Sequence, residues 1–146
     1  MEEKKKVVPL IEELGRRGEK HLQANLQPDE KILAKLKGSY GQGFVLTDRH
    51  IFVVKWGYMT GNLFGGRCSA FDYSSVVGIE IKKNLMTGVV EVLSAATKDA
   101  HLSYWTQKEN SAWKSNYAVP FGSTKFAQFQ QAVVLGREQI NKRHRE

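Results

Sequence analysis

The pattern of hydrophobic and polar positions begins with a helical period. Between residues 8 and 26 the apolar positions roughly follow a helical stripe, with Pro9 at a place suited to the first turn. Gly15 and Gly18 each weaken a helix by about 1 kcal/mol relative to Ala, so we expect a marginal or two-piece helix. Pro28 begins the turn that ends it.

From Lys31 the period changes to two, which is typical of strands. Residues 31–37 alternate in the manner of a short half-buried strand. Two β-rich apolar runs follow, 44–47 and 50–56, and only Asp48 and Arg49 separate them. This predicts a tight antiparallel hairpin, the strongest local signal in the chain.

The alternating pattern continues in shorter runs. Further strands are predicted at 67–71, 76–81, 89–93, 101–105 and 117–121. Turns are predicted at 72–75 and 84–88. Roughly seven short strands at this density favour an antiparallel barrel or sandwich.

The helical period returns at the C-terminus. Ser123 or Thr124 is a good N-cap candidate. The apolar stripe after them runs through Phe126, Phe129, Val133, Gly136 and Ile140. We expect an amphipathic helix that covers an open end of the barrel.

Three stretches of the chain resemble the bacterial pleckstrin-homology-like family, notably its YokE-like branch. They are FVLTDRHIFVVKWGYM, FDYSSVVGIEIKKNLMTGVVEV and YAVPF, and the C-terminal helix follows them. The family's Leu-Thr-Asp-Arg hairpin corresponds to 46–49, and its Ile-x-Ile strand to 79–81. The resemblance covers about residues 28–142.

The resemblance implies a mainly β pleckstrin-homology-like barrel of two packed antiparallel sheets with the last helix capping one end. We expect a domain over 28–146, preceded by an N-terminal helical extension over 1–27. Asp48 is suited to accept hydrogen bonds from nearby backbone N–H groups. Much of the core burial is expected from Phe44, Phe52, Phe71 and Tyr73.

The net charge of +7 does not select a nucleic-acid partner. Residues 1–31 carry seven basic and seven acidic groups, 32–121 carry ten and six, and 122–146 carry five and two. The excess is therefore spread out, and no specific nucleic-acid binding is expected. The charged N-terminus argues against a signal peptide, and no apolar run approaches the roughly 20 residues of a membrane span. We expect a cytoplasmic protein.

The sequence offers little for catalysis. The single cysteine, Cys68, excludes an intramolecular disulfide and a multi-thiolate zinc site, and we interpret it as a buried or half-buried inert thiol. The four histidines lie far apart, and His50 is interpreted as a solvent-facing strand residue. We therefore expect no enzyme, no metal and no cofactor. A small hydrolase using Cys68 or a histidine is the alternative from that class.

Two groups of residues are candidates for binding. The glycine-rich loop 57–66 lacks the ending of a phosphate loop. The apolar residues in it either fold back or form a partner loop; they are Tyr58, Met59, Leu63 and Phe64. The candidate lipid or anion contacts are Lys35, Lys37, Lys82 and Lys83.

The expected function is that of a non-catalytic binding or scaffold module. Open sheet edges and amphipathic helices both invite contact between chains, so we expect protein–protein contact that includes self-association. The alternative is a peripheral module that binds anionic membranes through the four lysines. The partner itself is not identified by the sequence.

Overall fold

The computed structural model describes residues 9–57, 65–94 and 115–146. The strands in these ranges are β1 (Ile32–Lys37), β2 (Gln42–Thr47), β3 (His50–Lys55), β4 (Arg67–Asp72), β5 (Val76–Lys83), β6 (Thr87–Ser94) and β7 (Ala118–Gly122). The α-helices are α1 (Arg16–Gln23) and α2 (Phe126–His144). The predicted strand at 101–105 lies outside the described residues.

The described strands form two antiparallel sheets, which confirms the expected mainly β fold. One sheet has the order β1-β2-β3-β4 and the other β5-β6-β7. The expectation of a closed barrel is wrong for this part of the chain. A short 3-10 turn at Tyr73–Ser75 carries the chain from β4 into β5, and these two strands belong to different sheets.

The hairpin predicted around residue 48 is confirmed. Phe44 lies opposite Val53, and Leu46 lies opposite Ile51. Both strands are buried on both faces, apart from His50 at the start of β3, which explains their nearly continuous apolar sequence. In β1 the alternation also holds, with Ala34 and Leu36 fully buried.

The helix predicted over 8–26 is largely wrong. The helix occupies only Arg16–Gln23, because Gly15 has a φ of 92° and leaves the helical region. The chain before it runs along the edge of β1 instead. The N–H of Lys35 donates to the carbonyl of Leu10, and the N–H of Glu12 donates to the carbonyl of Lys35, each at 2.7 Å.

The C-terminal helix is confirmed, and it packs against both sheets. The ring of Phe129 stacks on Phe121 of β7 at 4.1 Å and lies 6.3 Å from Phe44 of β2. Gly136 allows a close approach, since a Cβ there would lie 2.6 Å from Cδ1 of Ile79. The helix therefore fills the opening between the sheets.

The predicted N-cap is wrong. Ser123 and Thr124 lie in a 3-10 turn, Ser123–Lys125, and α2 begins after Lys125 without a side-chain cap. The Ser123 hydroxyl donates to the carbonyl of Leu85 instead, at 3.1 Å.

A second apolar cluster covers the outer face of the four-stranded sheet. Leu14 and Leu22 pack there against Val45, Phe52 and Trp56. Of the expected core aromatics, Phe44, Phe52 and Tyr73 are buried and Phe71 is partly buried. The domain boundary at residue 28 stays a prediction.

Candidate binding surfaces

The four predicted lysines do not form one surface. Lys35 pairs with Glu19 of α1, with Nζ 2.8 Å from Oε2, and only 13% of its side chain is exposed. The positive charge of Lys35 is therefore balanced by Glu19 within the molecule. Lys37, two residues further along β1, is exposed.

Lys37 and Lys83 both contact the start of α2, where Lys125 adds a cation that the sequence did not single out. Nζ of Lys125 donates to the carbonyl of Lys37 and lies 2.5 Å from Oε1 of Glu12. Burial raises the pKa of Glu12, but the bonds from Lys125 and from the N–H of Lys37 outweigh it and lower that pKa. On the other side, Nζ of Lys83 lies 4.7 Å above the ring of Phe126.

The turn between β5 and β6 presents two apolar side chains to water. Leu85 is 92% exposed and Met86 is 75% exposed. Lys82 and Lys83 directly precede this turn, and Nζ of Lys82 lies 3.8 Å from Oε2 of Glu80. We name Leu85, Met86, Lys82 and Lys83 the β5–β6 tip.

The backbone of the tip is fixed by hydrogen bonds. Oδ1 of Asn84 accepts from the N–H groups of Met86 and Thr87, at 3.0 and 2.8 Å. The carbonyl of Met86 accepts from the N–H of Ser123, and that of Leu85 from its hydroxyl. The apolar side chains thus lie on a turn in which the N–H and carbonyl of Met86 and the carbonyl of Leu85 are hydrogen-bonded within the protein.

A groove of about 350 Å³ lies between β5 and α2, and we name it the β5–α2 groove. Its lining residues are Val77, Gly78, Ile79, Glu80, Leu93, Arg137, Ile140 and Asn141. Val77 is 72% exposed beside it, and Val134, one turn before Arg137, is 50% exposed. Arg137 donates to the carbonyl of Ile79 at 2.8 Å, which fixes one wall to the other.

His50 is not the solvent-facing residue that we predicted. Its Nδ1 lies 2.9 Å from Oε2 of Glu30, whose side chain is fully buried. The hydroxyl of Thr47 donates to the same carboxylate and accepts from the N–H groups of Arg49 and His50. Burial raises the pKa of Glu30, but the bonds from Thr47 and His50 outweigh it and lower that pKa.

Asp48 accepts a backbone hydrogen bond as expected, but from outside its own turn. Its Oδ1 accepts from the N–H of Lys31, at 2.9 Å. The N–H groups of Arg49 and His50 donate to the Thr47 hydroxyl instead, and the N–H of Asp48 donates to the carbonyl of Lys31 at 2.9 Å. This β2–β3 turn is therefore tied to residues 27–31, where Arg49 also bonds Gln27 and Asp29.

The environment of Cys68 suits an unreactive thiol. Burial, with a smaller contribution from Glu30, raises the pKa of Cys68 to about 12. Among the described residues there is no group of three or more His, Cys, Asp or Glu that could hold a metal ion. His101, and the partner-loop candidates Tyr58, Met59, Leu63 and Phe64, lie outside the described residues.

Lys55 is a fully buried cation that sequence patterns did not reveal. Its Nζ donates to the carbonyl of Ala118 at 2.6 Å and to the side-chain oxygen of Gln42. Burial lowers its pKa well below the ordinary value, and nearby Arg67 adds to this. The bond to Ala118 ties the end of β3 to the start of β7, so we assign Lys55 to the fold.

Sequence could have indicated the β5–β6 tip but not the groove. Two large apolar residues inside a predicted turn are themselves a signal, because turns favour polar and small residues. The groove depends on how α2 lies against β5, which no local pattern states. The role of Lys125 was also not predictable from local sequence, because its contacts are with distant residues such as Lys37 of β1.

Comparison with protein-family models, with curated proteins and with solved structures found no match to this chain. In the described part of the chain, no helix is both long and apolar enough to cross a membrane.

Proposed function

We propose that this chain is a pleckstrin-homology-like, non-catalytic binding module of the cytoplasm that associates with a second copy of itself. The two sheets of four and three strands, followed by a helix that packs on both sheets, support the pleckstrin-homology-like assignment. An experimental structure with a different strand order would contradict it.

The observation that carries self-association is the β5–α2 groove with its exposed valines. Monomers usually expose apolar side chains singly, whereas contiguous apolar surface with a polar rim is typical of interfaces. Val77 lines this groove, and Val134 is exposed one turn before Arg137 on α2. Arg137, Glu80 and Asn141 supply the polar groups of the lining.

The charges around the groove favour a second copy as the partner. A two-fold contact needs a patch that is complementary to itself. Arg137 and Glu80 line the same groove, so a two-fold rotation can bring the cation of one copy toward the anion of the other. A patch with one sign of charge would not allow this.

Light scattering of the purified chain over a range of concentrations tests the proposal. We expect dimers at tens of micromolar, and we expect Val77→Lys to raise the dissociation constant at least about tenfold. Gln131→Lys is the matched control, because Gln131 is an exposed residue of α2 outside the groove lining. A clean monomer for the unmodified chain contradicts self-association.

A further inference from the structure

We infer that the β5–β6 tip inserts into the surface of an anionic lipid bilayer. This goes beyond the proposed function, because it concerns a different surface and a different partner. The inference begins with Leu85 and Met86, which are adjacent, large, apolar and 92% and 75% exposed. Water is an unfavourable environment for both side chains, and lipid is a favourable one.

The hydrogen bonding of the turn makes insertion inexpensive for the backbone. Entry into a bilayer is opposed by every backbone polar group that loses water without gaining a partner. At the tip, the N–H and carbonyl of Met86 and the carbonyl of Leu85 are already bonded within the protein. Leu85 and Met86 can therefore leave water without stranding these atoms.

The turn is also held rigidly against the core. Gly88, two residues after Met86, lies against the ring of Phe121, where a Cβ would come within 2.4 Å of the ring. Ser123, which bonds the carbonyls of the tip, lies immediately before α2. The backbone of the apolar pair is thus held in place, so little backbone conformational entropy remains to be lost on binding.

The charges beside the tip select an anionic surface. Lys82 and Lys83 precede the turn, with Asn84 between them and Leu85. Nζ of Lys83 lies over the ring of Phe126, and the residue before Phe126, Lys125, bonds the carbonyl of Lys37. Two acidic groups lie near these lysines, and each is paired with one of them: Glu12 with Lys125 and Glu80 with Lys82. Cations that flank an apolar pair match a bilayer whose headgroups are negative and whose interior is apolar.

Flotation of the full chain with lipid vesicles tests this inference. We expect it to bind vesicles of phosphatidylserine and phosphatidylcholine at low salt, and to bind pure phosphatidylcholine vesicles far less. Leu85→Ser with Met86→Ser should lower the partition coefficient at least about tenfold, because the apolar contribution is lost. Lys82→Gln with Lys83→Gln should lower it about fivefold for each lysine, and raised salt should do the same to the unmodified chain.

Two matched controls distinguish binding through the tip from non-specific hydrophobic binding and from non-specific electrostatic attraction. Val77→Ser removes an exposed apolar side chain at the β5–α2 groove, and Lys142→Gln with Arg145→Gln removes two exposed cations of the C-terminal end. We expect both to leave the partition coefficient within about twofold of the unmodified chain. A fluorophore on Leu85→Cys in a Cys68→Ser background should shift to the blue when vesicles are added.

The outcomes separate this inference from self-association. No flotation of the unmodified chain at low salt overturns it, as does flotation that Leu85→Ser with Met86→Ser leaves unchanged. If that variant instead alters the dimer seen by light scattering and vesicles are not bound, the tip is a protein contact and the inference is wrong. Loss of the dimer in Val77→Lys with vesicle binding retained is the result expected if self-association and bilayer insertion use different surfaces, and it supports both.

Discussion

The β2–β3 and β5–β6 turns are built with similar hydrogen bonding but have opposite surroundings. In the first, the hydroxyl of Thr47 accepts from two backbone N–H groups and donates to buried Glu30. In the second, the carboxamide of Asn84 accepts from two backbone N–H groups, and Leu85 and Met86 face water.

The difference shows that a turn fixed by hydrogen bonds can either bury its side chains in the fold or present them to a partner. Residues 27–31 pack onto the β2–β3 turn and use its polar side chains for stability. At the β5–β6 turn, Asn84 and Ser123 bond backbone atoms of Leu85, Met86 and Thr87, so the side chains of Leu85 and Met86 remain available for a partner. Substitutions at the two turns should therefore affect different measurements.

The largest effect on stability is expected at Thr47. Thr47→Val keeps the shape but removes the hydroxyl that serves Glu30 and two N–H groups, so it should lower the free energy of unfolding by about 2–3 kcal/mol. Urea unfolding measures this. The matched control is Thr87→Val at the other turn, which loses one exposed hydroxyl contact to Asn84 and should cost about 0.5–1 kcal/mol. Equal losses at the two turns would remove the distinction between them.

A smaller effect, with a characteristic pH dependence, is expected for Glu30→Gln. The pKa of Glu30 is lowered from its ordinary 4.5, so its carboxylate contributes stability above that pH and loses it as the pH falls through the folded-state pKa. The variant should be less stable than the unmodified chain by about 1 kcal/mol at pH 7, because a charged acceptor is replaced by a neutral one.

The difference between the two chains should shrink as the pH falls below 4.5, and urea unfolding at a series of pH values measures it. Glu12 and Asp72, whose pKa values are also lowered, remain in both chains and so do not enter the difference. A difference that stays constant down to the acid limit would show that Glu30 is not held as a carboxylate by this turn.

The smallest effect on stability is expected at the β5–β6 tip. Leu85→Ser with Met86→Ser should change the free energy of unfolding by less than about 0.5 kcal/mol, because both side chains are already in water. Thermal and urea unfolding check this, and the same protein serves for flotation. A loss above about 1 kcal/mol would mean that the pair packs within the fold in solution.

Much of the strand pattern could be predicted from the sequence, because it is encoded locally. The alternation of β1 and the short polar break at Asp48-Arg49 each specify a strand or a turn on their own. The stripe through Phe129, Val133 and Ile140 likewise specified the buried face of α2.

The failures share a physical cause, which is competition from distant partners. The segment around Ile11 has helical periodicity, but the edge of β1 offered hydrogen bonds, and Gly15 allowed the chain to turn away. Ser123 is a good N-cap in isolation, but its hydroxyl found the carbonyl of Leu85. His50 pairs with Glu30, and Lys35 pairs with Glu19. These partners are distant in sequence, so local patterns could not predict the pairs.

The pairing of Glu12 with Lys125 also sets an order of events during synthesis. These residues are 113 positions apart, and Gln128 similarly reaches back to the carbonyl of Pro9. A ribosome adds about 5–20 residues per second, so Lys125 is made roughly 6 to 23 seconds after Glu12. Among the hydrogen-bond partners of residues 9–12 in the described structure, Lys35 and Lys37 of β1 are made early, and Lys125 and Gln128 are made last. The bonds of this segment to Lys125 and Gln128 can therefore form only after all seven described strands have been translated.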